Sequence, residues 1–187
     1  RMSHFCRLIG EAAGLGEKSL EILYNASPMH DVGKIGIPDH ILLKQGALSP
    51  DEWEVMKCHP QMGADIIGQH TDELLQTAWM IALCHHEKWD GSGYPHSLKG
   101  EAIPLLARIA ALADVFDALT TERPYKQAWT VDAAVSHIEA SAGSHFDPAL
   151  IEPFKRALPQ MLRIREQFAD SHGALEDVDG VALPASA

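Results

Sequence analysis

Residues 104–120 read Pro104-Leu105-Leu106-Ala107-Arg108-Ile109-Ala110-Ala111-Leu112-Ala113-Asp114-Val115-Phe116-Asp117-Ala118-Leu119-Thr120, and they decide the fold class. A proline at the opening and a run rich in alanine and leucine predict a helix fit for burial. Asp114 falls in its middle. A buried carboxylate must find a partner or take up a proton, because leaving it charged and alone is costly. On both sides of it helix signals continue and strand alternation is scarce. Phe5, Leu8, Ile9, Ala12 and Leu15 follow i, i+3, i+4 spacing, the mark of an amphipathic helix. That helix has no capping residue before it and is expected to begin upstream of Arg1.

Leu20, Leu23, Tyr24 and Ala26 place a second helix over 17–30, and Gly33, Gly36 and Pro38 predict a loop after it. Ser49-Pro50-Asp51-Glu52 reads as a capping box opening a helix over 50–58. His59-Pro60 predicts a break, with more helix to about Gly68. Thr71 is expected to cap a helix over 72–87. Residues 88–103, dense in turn formers, read as irregular. Thr130 caps a helix ending near Gly143, Asp147-Pro148 starts another, and a last one covers 160–169. A polar, frayed tail follows from Ser171. The expectation is an all-α, single-domain helical bundle.

The chain has 187 residues, 46% of them apolar and 22% charged. That suits one domain with a real core and excludes a solvated disordered chain. The net charge of −11 argues against general nucleic-acid binding, which needs a basic face. Cys6, Cys58 and Cys84 form no CxxC pair, so a reduced, cytoplasmic protein is expected rather than a disulfide scaffold. No apolar run approaches the roughly 20 residues of a membrane span.

Eleven histidines are an unusual number for a residue that does little for generic packing. His30 and Asp31 end an apolar helix before a glycine loop, His59 sits at a helix break, and His85 and His86 are adjacent near a helix end. Imidazole and carboxylate suit iron, manganese and zinc. Two such ions about 4 Å apart clamp an in-line phosphoryl displacement. The bland alternative is a set of helix-end histidines favoured by the helix dipole, with Asp114 paired to an arginine such as Arg108. His40, His70, His96, His137, His145 and His172 read as surface or structural. Cys84 reads as a small buried residue, Asp90 as fixing the Gly91–Gly93 turn, Asp117 as hydrogen-bonding beside the ligands or capping, and Trp53, Trp79, Trp89 and Trp129 as core or loop packing, with a base-stacking platform among them the alternative.

In combination, His30-Asp31-Val32-Gly33-Lys34-Ile35-Gly36-Ile37-Pro38 and His85-His86-Glu87-Lys88-Trp89-Asp90-Gly91-Ser92-Gly93-Tyr94-Pro95 resemble the two signatures of the HD-GYP family, a branch of the HD phosphohydrolases. Residues 113–120 and Arg123-Pro124-Tyr125-Lys126 resemble its later segments. The resemblance covers about residues 1–155. It implies an HD-GYP domain over 1–158, N-terminally truncated, followed by a C-terminal helix and tail over 159–187.

The resemblance further implies hydrolysis of the bacterial second messenger cyclic di-GMP to pGpG or GMP, with two or three divalent metals, iron or manganese. Its metal ligands would be His30, Asp31, His59, His85, His86 and Asp114, with Asp31 bridging. Lys34, Arg123 and Lys126 would hold phosphates. Tyr94 would lie near the binding cleft and a partner surface. A further family histidine is expected upstream of Arg1, and His4 stands in the wrong helical register to replace it. A receiver-type regulatory domain is expected upstream too. The competing readings are a non-catalytic module that binds cyclic di-GMP or a partner, and an HD phosphohydrolase for another nucleotide.

Overall fold

The computed structural model describes residues 1–122 and 127–168, and among them helices follow one another without a strand. They are α1 (Met2–Ala12), α2 (Glu17–Ala26), α3 (Asp39–Leu42), α4 (Pro50–Met56), α5 (His59–Ile67), α6 (Glu73–Cys84), α7 (Leu105–Thr120), α8 (Val131–Ala140) and α9 (Pro148–Gln167). Helix α7 is the expected buried helix. Ala107, Ala110, Ala113 and Leu119 on it are fully or almost fully enclosed, and its alanines let α1, α6 and α8 approach closely. Phe5 of α1, Phe116 of α7 and Phe154 of α9 interlock edge to face, with centroids 5.8 and 5.3 Å apart. Burying each such ring stabilises the fold by about 1.5–3 kcal/mol.

Caps set the ends. Ser49 and Glu52 form the predicted capping box on α4, Ser49 N–H donating to Glu52 at 2.6 Å and Glu52 N–H to Ser49 Oγ at 3.3 Å. Thr130 caps α8 and Asp147 caps α9, each by accepting a backbone N–H. No described helix is long and apolar enough to cross a membrane.

Several boundaries differ from the sequence expectation. Helix α2 stops at Ala26 because Pro28 turns the chain into a 3-10 turn, Ser27–Met29. The predicted glycine loop is itself a 3-10 turn, Val32–Gly36, running into α3. Asp72 caps α6 in place of Thr71, accepting from Leu75 N–H at 3.1 Å, and the helix ends at Cys84. The two helices expected after Asp147 are one: α9 runs through Pro153 and Pro159. Leu150, Ile151, Phe154, Ala157 and Met161 form one unbroken buried stripe along it, and that packing outweighs two missing backbone donors. The tail expected from Ser171 lies outside the described residues.

The turn Val32–Gly36 packs against α5 so closely that a Cβ on Gly33 would meet the His59 carbonyl oxygen at 1.9 Å and Gly63 N at 2.4 Å. Both neighbours are backbone and cannot swing aside. Gly33→Ala is therefore expected to lower stability by about 1–3 kcal/mol, read as a shift in the urea midpoint; an unchanged midpoint would contradict this contact.

Candidate metal centre

The site is built where helices end. His30 follows the turn Ser27–Met29, Asp31 opens the turn Val32–Gly36, His59 starts α5, and His85 closes α6 with His86 next. Asp114 comes from the middle of α7. Backbone carbonyls at and near these ends orient three of the imidazoles. His30 Nδ1 lies 2.9 Å from Ser27 O, His59 Nδ1 2.8 Å from Met56 O, and His85 Nδ1 3.0 Å from both Ile81 O and Ala82 O. A carbonyl only accepts, so each Nδ1 carries a proton, and in the neutral ring each Nε2 presents a lone pair. Ligating histidines are oriented in this way.

Those Nε2 atoms converge on Asp31. Its Oδ1 lies 3.3 Å from His59 Nε2 and 3.7 Å from His85 Nε2. Its Oδ2 lies 3.2 Å from His30 Nε2 and 2.9 Å from Lys34 Nζ. Asp114 Oδ1 lies 3.7 Å from His30 Nε2. His59 Nε2 is 2.9 Å from His86 Nε2 and 3.5 Å from His85 Nε2. One donor atom each from Asp31, His59, His85 and His86 fits within 4.8 Å. His30 and Asp114 stand on the other side of the Asp31 carboxylate, toward its second oxygen. Asp31 thus turns one oxygen toward His59 and His85 and the other toward His30.

The electrostatics mark this as a place for cations. Asp31 Oδ1 is buried and has no hydrogen-bond partner among the described residues, since the nitrogens it faces present lone pairs. Burial pulls the His30 pKa down, but Asp114 and Asp31 outweigh it and hold the imidazole well above its ordinary value. Burial raises Asp31 and Asp114, yet His30 draws both below the usual carboxylate range. Burial and the charge of His86 push His85 down to about 4. The donor set, two carboxylates and four imidazoles with an orphaned carboxylate oxygen among them, fits divalent transition metals.

Lys34 lies against Asp31. The Tyr94 ring stacks on His86 at 5.0 Å and 27°. Arg123 and Lys126 lie outside the described residues. Asp90 holds its turn by accepting Ser92 N–H at 2.8 Å. Burial pushes the Cys84 thiol up to about 12, which makes it a poor ligand, because thiols ligate as thiolates. The Asp114–Arg108 pairing of the bland reading does not form, because Arg108 binds Asp147 instead. Asp117 meets Arg1 through two hydrogen bonds, 2.5 and 3.2 Å. His4 packs between Tyr24 and Phe168.

Sequence reasoning missed two features. Glu87 is buried and accepts His96 N–H at 2.7 Å and Leu98 N–H at 2.9 Å, clamping the Gly-Tyr-Pro loop from within. Its place inside a matched signature was the available signal. His137, Ser141, Ser144 and His145 line a cavity of about 340 Å³ together with His85, His86 and Asp114. Nothing local in the sequence marks those four.

Comparison with known proteins agrees with this architecture. The HD-domain family matches residues 1–150. The cyclic di-GMP phosphodiesterase response regulator RpfG of Xanthomonas campestris is 50% identical over 169 residues, covering 90% of this chain and 45% of that protein. The 3'3'-cGAMP-specific phosphodiesterase 2 of Vibrio cholerae is 43% identical over 170 residues, covering 91% and 33%. The chain therefore spans less than half the length of these relatives. A crystal structure of a cyclic GMP-AMP-specific phosphodiesterase from V. cholerae superposes with a TM-score of 0.67 at 23% identity, over 93% of this chain and 48% of that one; this likeness speaks to the fold.

Removing the central carboxylate tests the cluster directly. Asp31→Ala is expected to lose bound metal by elemental analysis while keeping its helical circular dichroism. Full metal occupancy in that variant would contradict a ligating Asp31.

Proposed function

Because the chain belongs to the HD-domain family, and its two signatures match the Gly-Tyr-Pro branch, we propose that it is a metal-dependent phosphodiesterase that hydrolyses cyclic di-GMP to pGpG or onward to GMP. The observation that carries this reading is the convergence of oriented imidazole nitrogens on a carboxylate with one buried, unsatisfied oxygen. We assign His30, Asp31, His59, His85, His86 and Asp114 as ligands of two or three divalent ions, iron or manganese, with Asp31 bridging. Bound there, the ions supply Lewis acidity and lower the pKa of water.

The chain's own groups do the rest. Backbone carbonyls of Ser27, Met56 and Ile81 hold three imidazoles in orientation. Lys34, already beside Asp31, neutralises a non-bridging phosphate oxygen. Arg123 and Lys126 are assigned to the ligand's phosphates on the family resemblance. Tyr94, on the stack with His86, borders the cleft. An acidic protein needs only such a local group of cations for a small anionic ligand.

The similarity to a response regulator supports a receiver-type domain outside these residues and a cytoplasmic site of action, and a partner surface on the Gly-Tyr-Pro loop is assigned on the family resemblance. A second substrate has a specific observation in its favour: the 43% identity to a 3'3'-cGAMP-specific phosphodiesterase.

The full-length protein, loaded anaerobically with Fe(II) or Mn(II), is expected to convert cyclic di-GMP to linear product. Asp31→Ala is expected to lower turnover about 100-fold or more. Chromatography of the products with 3'3'-cGAMP in parallel ranks the two substrates. Tight cyclic di-GMP binding by the loaded protein with no linear product would overturn the enzyme reading in favour of a non-catalytic binding module.

A further inference from the structure

The cavity that opens on His85, His86 and Asp114 is larger than a phosphodiester group requires. Its volume, about 340 Å³, sits at the low end of the roughly 300–1,000 Å³ of ligand pockets. That suits one nucleotide unit rather than a whole cyclic dinucleotide. The cavity extends from the ligand cluster to Ser144 and His145, in the turn between α8 and α9. No signature stretch of the chain includes this turn.

The turn is rigid. Ser144, His145 and Phe146 each send a backbone N–H to Ser141 O, at 3.2, 3.0 and 3.1 Å, and Gly143 N–H reaches Phe146 O at 2.9 Å. It is tied to the loop after His86 as well, Trp89 N–H donating to His145 O at 3.0 Å and Asp90 N–H to Ser144 O at 2.8 Å. The His145 ring lies flat on Phe146, 4.2 Å away at 7°, which fixes its plane. Ser144 Oγ donates to Ser141 O at 3.0 Å and so keeps acceptor capacity on its oxygen. Hydroxyl and imidazole match the mixed donors and acceptors on the edges of a purine. Trp53 also lines the cavity, and bases stack on aromatic side chains.

We propose that the 141–147 turn is the base-recognition wall of this site. Ser144 and His145 hold the purine of the nucleotide whose phosphate lies at the His/Asp cluster, and His145 is a specificity-determining residue. The proposal rests on the reading that a nucleotide phosphate meets that cluster.

Calorimetric titration of the metal-loaded protein with GMP and with inorganic phosphate tests it without any turnover. GMP is expected to bind at least about tenfold more tightly than phosphate. His145→Ala and Ser144→Ala are each expected to weaken GMP about fivefold, with phosphate affinity and metal content unchanged and His145→Gln restoring most of the loss. Ser144 is exposed, so its variant carries the test even if His145→Ala folds poorly. Equal affinity for GMP and phosphate, or variants that weaken both alike, would overturn the wall. Cyclic di-GMP turnover without a GMP preference sinks the wall alone. A GMP preference lost in the variants, in a protein without turnover, supports the wall and sinks the enzyme reading.

Discussion

The Asp31 carboxylate is largely withdrawn from water among imidazoles, and the surrounding elements are arranged around the cost of keeping it charged. An uncompensated buried charge costs several kcal/mol. Here the compensation comes from two sides. Lys34 and the imidazole of His30 stand at Oδ2, while Oδ1 faces His59 and His85 without receiving a hydrogen bond. On the second side the described residues donate no hydrogen bond. Each imidazole on it has its one ring proton committed to a backbone carbonyl, so none remains for the carboxylate. A cation there would satisfy the oxygen and the nitrogens together, and its binding would then stabilise the fold.

Close convergence demands that backbones approach closely, and glycine supplies this at two points. Gly33 lets the Asp31 turn rest on the first turn of α5, next to the His59 carbonyl. Gly93 does the same for the Gly-Tyr-Pro loop: a Cβ there would lie 2.3 Å from Lys88 N and 2.6 Å from His86 O. In both signatures a glycine follows the clustered histidines because a side chain would push the backbone that bears them away. Glu87 completes the second arrangement from inside the loop. The signature residues that do not ligate thus hold apart or draw together the ones that can.

How much of this was legible follows from the range of each interaction. The capping box at Ser49 and the burial of α7 are local or periodic, and both read directly from the sequence. The gathering of His30, Asp31, His59, His85, His86 and Asp114 was legible only through the ordered motifs, since no spacing rule brings four separate segments together. The continuity of α9 was hidden because Pro153 and Pro159 are breakers by local rules, whereas the stripe from Leu150 to Met161 is a tertiary fact. His137 and His145 looked generic because their setting, a cavity wall beside Asp114, is made by α8 and the following turn folding back onto α7. The alternative pairing of Arg108 with Asp114 fails for the same reason. Asp147 is far along the chain, and only the docking of α9 brings it within reach.

Arg108 shows why the core and the site are one mechanical problem. Its guanidinium pairs with Asp147, the cap of α9, and lies 5.5 Å from the centre of the Trp89 ring. Trp89 in turn donates to His145 O. Asp114 stands six residues further along α7, which at about 100° per residue points it to a different face from Arg108. One face of α7 therefore serves the ligand cluster, another braces the loop and turn that border the cavity, and a third carries Phe116 into the aromatic core. A change that rotates or shifts α7 moves the ligand and the cavity wall at once. The alanines that let α7 pack tightly from several sides keep those two surfaces in register.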